Sequence, residues 1–224
     1  RTQASHNGGM RAQTETRNPI LKIKQLLVNR GYFEAVTYSF VDPEWQKLLD
    51  PQTQTIALAN PISSEMSVMR TTIWPGLLQA LRYNVNRQHS RVRLFESGLC
   101  FKPDGDGIEQ VEHISGVICG AINELQWSEK ERDVDFYDLK NDVEALLAHT
   151  GHTAVFEAAS HPALHPGQSA KIILGDKTIG WIGAIHPQVR KELDIDKTVF
   201  VFEMTINDVL CTAIPAFKPL SKFP

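Results

Sequence analysis

Two apolar runs separated by a turn dipeptide constrain this chain more than any other feature. Residues 170–174 and 178–185 lie on either side of Gly175-Asp176, in the stretch AKIILGDKTIGWIGAI. Such runs around a Gly-Asp pair predict two strands folded back on each other, because glycine supplies the backbone angles that a tight hairpin turn needs. A second pair repeats the arrangement: VRLFESGLCF (92–101) and EHISGVICGA (112–121) bracket Pro103 to Gly107, whose composition predicts an exposed hairpin loop. Apolar runs at 33–41, 55–59, 154–158 and 198–205 read as the remaining strands.

Between the strands the apolar period changes from two to three and four. After Asn18-Pro19, an N-cap followed by proline at the first helical position, Ile20, Ile23, Leu26 and Leu27 share one face, and Gly31 reads as a stop. Asp42-Pro43 opens a short helix through Trp45 to Leu49. Trp74, Leu77, Leu78, Leu81 and Val85 form one long helical face, with Arg82, Asn84, Asn86 and Arg87 on the polar side. Residues 137–149 place Leu139, Val143, Leu146 and Leu147 along another helix, and 206–210 read as one short helical turn. Hairpins mixed with helices, without regular strand-helix alternation, predict an α+β domain: a central antiparallel sheet flanked by helices over residues 18–212. Residues 1–17 read as a disordered lead-in or the end of a preceding domain, and 213–224 as a proline-bearing exit.

Composition narrows the function classes. A chain of 224 residues with 42% apolar residues can bury a sizeable core, and a net charge of −3 gives no overall basic surface for nucleic acid. Cys100, Cys119 and Cys211 are odd in number and outside any CxxC pattern, which fits buried thiols in a reducing cytoplasm. No apolar run reaches the roughly 20 residues of a membrane span.

Few residues form a recognisable chemical pattern. His161, His165 and His186 with nearby carboxylates raise the question of a metal, but His161-Pro162 and His165-Pro166 break the helix that an HxxxH site requires, so turn histidines bonded to backbone are expected. Gly180 and Gly183 read as sites of close backbone packing, and Ser64, Glu65 and Ser97 have no arranged His-Asp partner. Arg82, Arg87, Arg91 and Arg93, with Tyr83 and His89 interleaved, form a basic stretch that reads first as a solvated helix face and second as a phosphate or carboxylate contact. Glu96 and Glu203 sit inside apolar strands and must be paired or edge-exposed; Arg70 and Arg93 are candidate partners.

Four segments, in order, resemble the β chain of bacterial phenylalanyl-tRNA synthetases: GYFEAVTYSFV (31–41), NPISSEMSVMRTTIWPGLLQALRYNVNRQ (60–88), RLFESGLCF (93–101), and HPALHPGQSAKI with GWIGAIHPQV within 161–189. The second is the most specific, since its Asn-Pro turn, Ser-Glu pair, Met-Arg-Thr and leucine-rich helix form one uninterrupted unit. The resemblance implies a fold like the class II synthetase core and a role beside a catalytic α subunit in an α2β2 assembly that uses ATP, Mg and tRNA(Phe). It implies that this stretch is itself non-catalytic and holds no cofactor. Class II chemistry needs arginines on the ATP phosphates; Arg93-Leu94-Phe95-Glu96 has altered motif 2 spacing, and TVFVFEMTINDVL has neither the glycines nor the arginine of motif 3. The resemblance also makes the chain one stretch of a longer subunit, with Ser221 to Pro224 leading toward an anticodon-binding domain. The helix at 74–88 is the expected subunit contact, through Trp74, Leu78, Arg82 and Arg87. The alternatives are an autonomous class II-type enzyme binding ATP and an amino acid, and a tRNA-binding module using Arg82 to Arg93.

Overall fold

Helix α1 (Pro19–Asn29) opens the described part of the chain, which in this computed structural model comprises residues 19–105, 107–128 and 130–210. The expected lead-in at 1–17, the Asn18 cap, Cys211 and the exit at 213–224 lie outside the described residues. The predicted strand at 33–41 divides in two: β1 (Phe33–Glu34) and β2 (Phe40–Val41). Helix α2 (Pro43–Leu49) follows, its N-terminus capped by Asp42, whose carboxylate accepts from Glu44 N. Then come β3 (Val68–Met69) and the long helix α3 (Trp74–Asn86). The hairpin β4 (Arg91–Asp104) and β5 (Gly107–Gly120) leads into α4 (Phe136–His149), where Asp135 and Asp138 form a reciprocal capping box. The remaining elements are β6 (Val155–Ala158), β7 (Leu164–Leu174), β8 (Lys177–Ile185), α5 (Pro187–Glu192), β9 (Val199–Thr205) and α6 (Ile206–Val209).

Seven strands form one sheet in the order β1-β4-β5-β9-β8-β7-β6, and β2 pairs with β3 in a separate two-stranded ladder. The expected antiparallel sheet is in fact mixed, because β1 lies parallel to β4, with Phe33 opposite Leu94. A parallel pair needs a long crossover, and α2 and α3 provide it. The expected strand at 55–59 is reduced to an isolated bridge between Ala57 and Val68, since only Leu58 N to Ser67 O and Met69 N to Ile56 O hold it.

Both hairpins read from the sequence form. At the β7–β8 turn Leu174 faces Lys177 across Gly175, whose φ of +60° is a conformation glycine adopts without cost. The β4–β5 turn is tighter than its composition suggests, because the ladder runs out to Asp104 opposite Gly107. Gly180 and Gly183 serve close packing as expected: a Cβ there would lie 2.0 Å from Glu203 O and 2.7 Å from Gln168 O, respectively.

Alternation along the strands gives the sheet two apolar faces. Phe95, Ile114, Ile118, Phe200, Phe202 and Met204 meet Ile23 and Leu27 of α1 and Leu139, Val143 and Leu146 of α4. On the other face Val92, Cys100, Val117, Val199 and Val201 meet Trp74, Leu77, Leu78 and Leu81 of α3 and Val189 near α5's start.

Candidate functional site

The α3 face of the sheet carries a line of buried polar groups within an otherwise apolar layer. Even-numbered residues of β4 and odd-numbered residues of β5 and β9 point this way, which brings Glu96, Cys100, His113, Ser115 and Glu203 together on three neighbouring strands. Each carboxylate has specific partners, as burial demands. Arg70 Nη1 lies 2.7 Å from Glu96 Oε1, and Thr37 Oγ1 donates to Glu96 Oε2 at 2.7 Å. The same guanidinium donates through Nε to Leu99 O, so Arg70 fastens the end of β3 to β4. A Cβ at Gly98 would lie 2.2 Å from Arg70 Nη2, so a side chain there would have to displace the guanidinium. Of the two partners predicted for Glu96 and Glu203, Arg70 takes Glu96 and Arg93 takes neither.

Glu203 instead holds the start of α3. Its Oε2 accepts from Thr72 Oγ1 at 2.9 Å and from Ile73 N at 2.8 Å, supplying the carboxylate that a helix N-terminus favours. Its Oε1 lies 2.8 Å from His113 Nδ1. Cys100, His113 and Glu203 each place a potential ligand atom within 4.8 Å of the others. Burial, with the Glu203 charge second, pushes the Cys100 thiol far above its ordinary range, and burial raises Cys119 to about 11. Cys100, His113 and Glu203 come from three different strands and form no local spacing, so nothing in the sequence groups them.

Beside this cluster opens a recess of about 340 Å³, lined by Asp50, Lys102, His113, His161, Trp181 and Glu203 among others. His161 sits between two indoles, with ring centroids 5.2 Å from Trp74 and 4.9 Å from Trp181. Burial holds its imidazole below the ordinary range, against the pull of Asp50 and Glu203. The three His-Pro histidines use one device, as expected of turn residues. His161, His165 and His186 accept through Nδ1 from the backbone N–H two positions on, those of Ala163, Gly167 and Gln188. His186 thereby caps α5, a helix the sequence reading passed over although Pro187 at its first position was the available signal.

The basic stretch does not form one patch. Arg82 lies over Trp45 and donates to Leu193 O, and Arg87 stacks on Tyr83 at 3.4 Å from its ring centroid. Arg91 and Arg93 face the opposite side of the sheet. Arg93 Nη1 lies 2.9 Å from Asp142 Oδ2, with both side chains 5% exposed. Asp142 Oδ1 also takes Arg30 Nε at 2.6 Å and its Oδ2 accepts from Tyr32 OH at 2.7 Å, so one carboxylate ties α4 to β4 and the turn after α1. Burial and the Asp142 charge raise the Tyr32 phenol well above its ordinary range.

The expected contact residues separate in the same way. Trp74 and Leu78 are 3% and 0% exposed and belong to the α3-side core of this chain. Arg82 is half-buried, and Arg87 is exposed. Beside Arg82 a groove of about 420 Å³ runs between α3 and the 36–42 segment, lined by Val36, Tyr38, Phe40, Trp45, Met66 and Arg82 among others. Val36 and Tyr38 are 90% and 63% exposed.

Comparison with known proteins places this arrangement. A family model described as the phenylalanyl tRNA synthetase beta chain CLM domain matches residues 2–206. The chain belongs to this family. It is 48% identical over 213 residues to a phenylalanine-tRNA ligase beta subunit of Coxiella burnetii, covering 94% of this chain and 27% of that protein. A relative of the same name from Pseudomonas putida is 49% identical over 212 residues, again 94% of this chain and 27% of the relative. One from Pseudomonas syringae pv. tomato is 46% identical over 215 residues, with 95% and 27% covered. The chain thus spans about a quarter of the length of these relatives of the synthetase beta-chain family. Within this CLM domain match lie the Arg70–Glu96 pair, the Cys100-His113-Glu203 cluster and the Asp142 knot. Among the described residues, no helix is long and apolar enough to cross a membrane.

Proposed function

We propose that this chain is the non-catalytic, class II synthetase-like module of a phenylalanine-tRNA ligase β subunit. It supports a catalytic α subunit in the ATP- and Mg-dependent attachment of phenylalanine to tRNA(Phe) in the cytoplasm, as part of an α2β2 assembly. The observation that carries the reading is the direction of Arg93. On the strand where a class II enzyme would direct an arginine at ATP, Arg93 turns to the α1 and α4 side and is engaged by Asp142. On the α3 side Glu96 is neutralised by Arg70. Both charges maintain the fold, which suits a scaffold. The divergence of Arg82 and Arg87 from Arg91 and Arg93 weighs against a single tRNA-binding patch.

Support for a partner on the α3 side comes from the groove beside it, where Val36 and Tyr38 present apolar surface to solvent and Arg82 lines the wall, and from Arg87, an exposed cation at the C-terminal end of the same helix. The interface residues proposed from the sequence therefore reduce to Arg82 and Arg87, with Trp74 and Leu78 supporting them from the core. Co-expression of the full-length β chain with an α subunit tests this: Tyr38→Asp and Arg87→Glu should each lower the yield of copurified α subunit. Undiminished copurification in both variants overturns the proposed surface. Calorimetric titration of the β chain alone with ATP and phenylalanine should give no heat from this module, and micromolar binding abolished by substitutions here would overturn the non-catalytic reading.

A further inference from the structure

The cluster on β4, β5 and β9 has the donor set of a metal centre. Cys100, His113 and Glu203 offer a soft thiolate, an imidazole and a carboxylate within 4.8 Å of one another, a combination that suits zinc. Three protein ligands with a fourth position left to another donor is the arrangement of an open zinc site.

The surroundings prepare the ligands. Glu203 Oε2 is occupied by Thr72 Oγ1 and Ile73 N, which fixes the carboxylate and leaves Oε1 facing His113. Outer partners of this kind orient ligands at established metal centres. Tetrahedral zinc separates neighbouring nitrogen and oxygen donors by about 3.3 Å. A cation between His113 Nδ1 and Glu203 Oε1, now 2.8 Å apart, therefore requires only a small opening. Cys100 is fully buried, whereas His113 and Glu203 line the recess that also holds Lys102. Cation entry and a fourth ligand would both come from that recess.

We propose that Cys100, His113 and Glu203 form a binding site for a zinc-class divalent cation, with its fourth position open to the recess beside Lys102. The site lies outside the subunit reading and does not depend on it. On binding, the Cys100 S–H bond breaks, its proton leaves to solvent and a sulfur–metal bond forms; His113 binds as the neutral imidazole. The Cys100 thiolate and the Glu203 carboxylate balance the two positive charges. Lys102 then favours an anionic fourth donor such as hydroxide.

Cobalt(II) added to the full-length metal-stripped protein reads the site directly. The expected result is a near-ultraviolet thiolate-to-cobalt band and tetrahedral visible bands that zinc displaces, both lost in Cys100→Ser. Identical spectra in wild type and a folded Cys100→Ser variant, or no thiolate band in wild type, overturn the proposal. Where Cys100→Ser fails to fold, anomalous scattering at the zinc edge from zinc-soaked wild-type crystals decides. A peak bounded by Cys100 Sγ, His113 and Glu203 supports the site, and no peak there overturns it.

Discussion

Arg70 and Glu96 form an ion pair with Nη1 and Oε1 2.7 Å apart, and their side chains are only 3% and 4% exposed. Removing one partner strands the other charge in the core. Arg70→Leu should therefore destabilise the protein by about 3–5 kcal/mol. The double variant Arg70→Met with Glu96→Leu should cost clearly less than the sum of its single changes. A double-mutant cycle by urea denaturation measures the difference, and additivity would contradict the pairing.

Asp142 holds two arginines and a tyrosine hydroxyl, from β4 and the turn after α1. Asp142→Ala should cost about 3–5 kcal/mol, and Asp142→Asn, which keeps hydrogen-bonding capacity, should cost less. Equal midpoints for wild type and both variants in chemical denaturation would contradict the role given to this carboxylate.

Leu78 and Arg87 lie on one helix but should respond to different measurements. Leu78→Ala opens a cavity in the α3-side core and should lower stability by about 2–5 kcal/mol. Arg87→Glu loses a stacking contact on Tyr83 and should lower it by under about 1 kcal/mol. On the subunit reading, Arg87→Glu should nevertheless reduce association with an α subunit. Thermal melts and copurification, run on the same two variants, separate core from surface.

His161 gives stability a pH dependence of definite sign. Its folded-state pKa is lowered chiefly by burial, so the unfolded chain takes up a proton first as pH falls through about 6.5. Its contribution is therefore neutral above that pH and destabilising below it, and the loss levels off once the folded state protonates too. Protonation also removes the Nδ1 lone pair that accepts from Ala163 N. His161→Gln should lose less stability than wild type between neutral and mildly acid pH, as read from urea midpoints, and parallel pH profiles would contradict the assignment.

The fold was legible where pattern is local. Leu77, Leu78 and Leu81 announced α3 by their spacing, and Gly175-Asp176 announced the β7–β8 turn. The parallel pairing of β1 with β4 was not legible, because two residues carry it and nothing near Phe33 names Leu94 as its partner. The stretch 55–59 has strand-forming residues but too few neighbours to bond with, so tertiary context overrode propensity. The site followed the same rule. The His-Pro turns are local and therefore legible, and the need of Glu96 for a partner follows from a charge in an apolar strand. Glu203's bonds to Thr72 and Ile73 join residues on β9 and ahead of α3, and only the folded topology brings them together.

The strand order has a consequence for how the molecule is made. β5 lies inside the sheet between β4 and β9, yet β9 comes last among the strands of the described residues, after α4, α5 and the β6–β8 segment. As the chain leaves the ribosome, the β4–β5 hairpin is complete long before Val199–Thr205 emerges. One border of β5 is meanwhile an unpaired row of amides and carbonyls, open to unwanted partners. The backbone of β9 then closes that border while its Glu203 seats the start of α3, so a ribosome stalled before β9 would leave a nascent chain prone to aggregation.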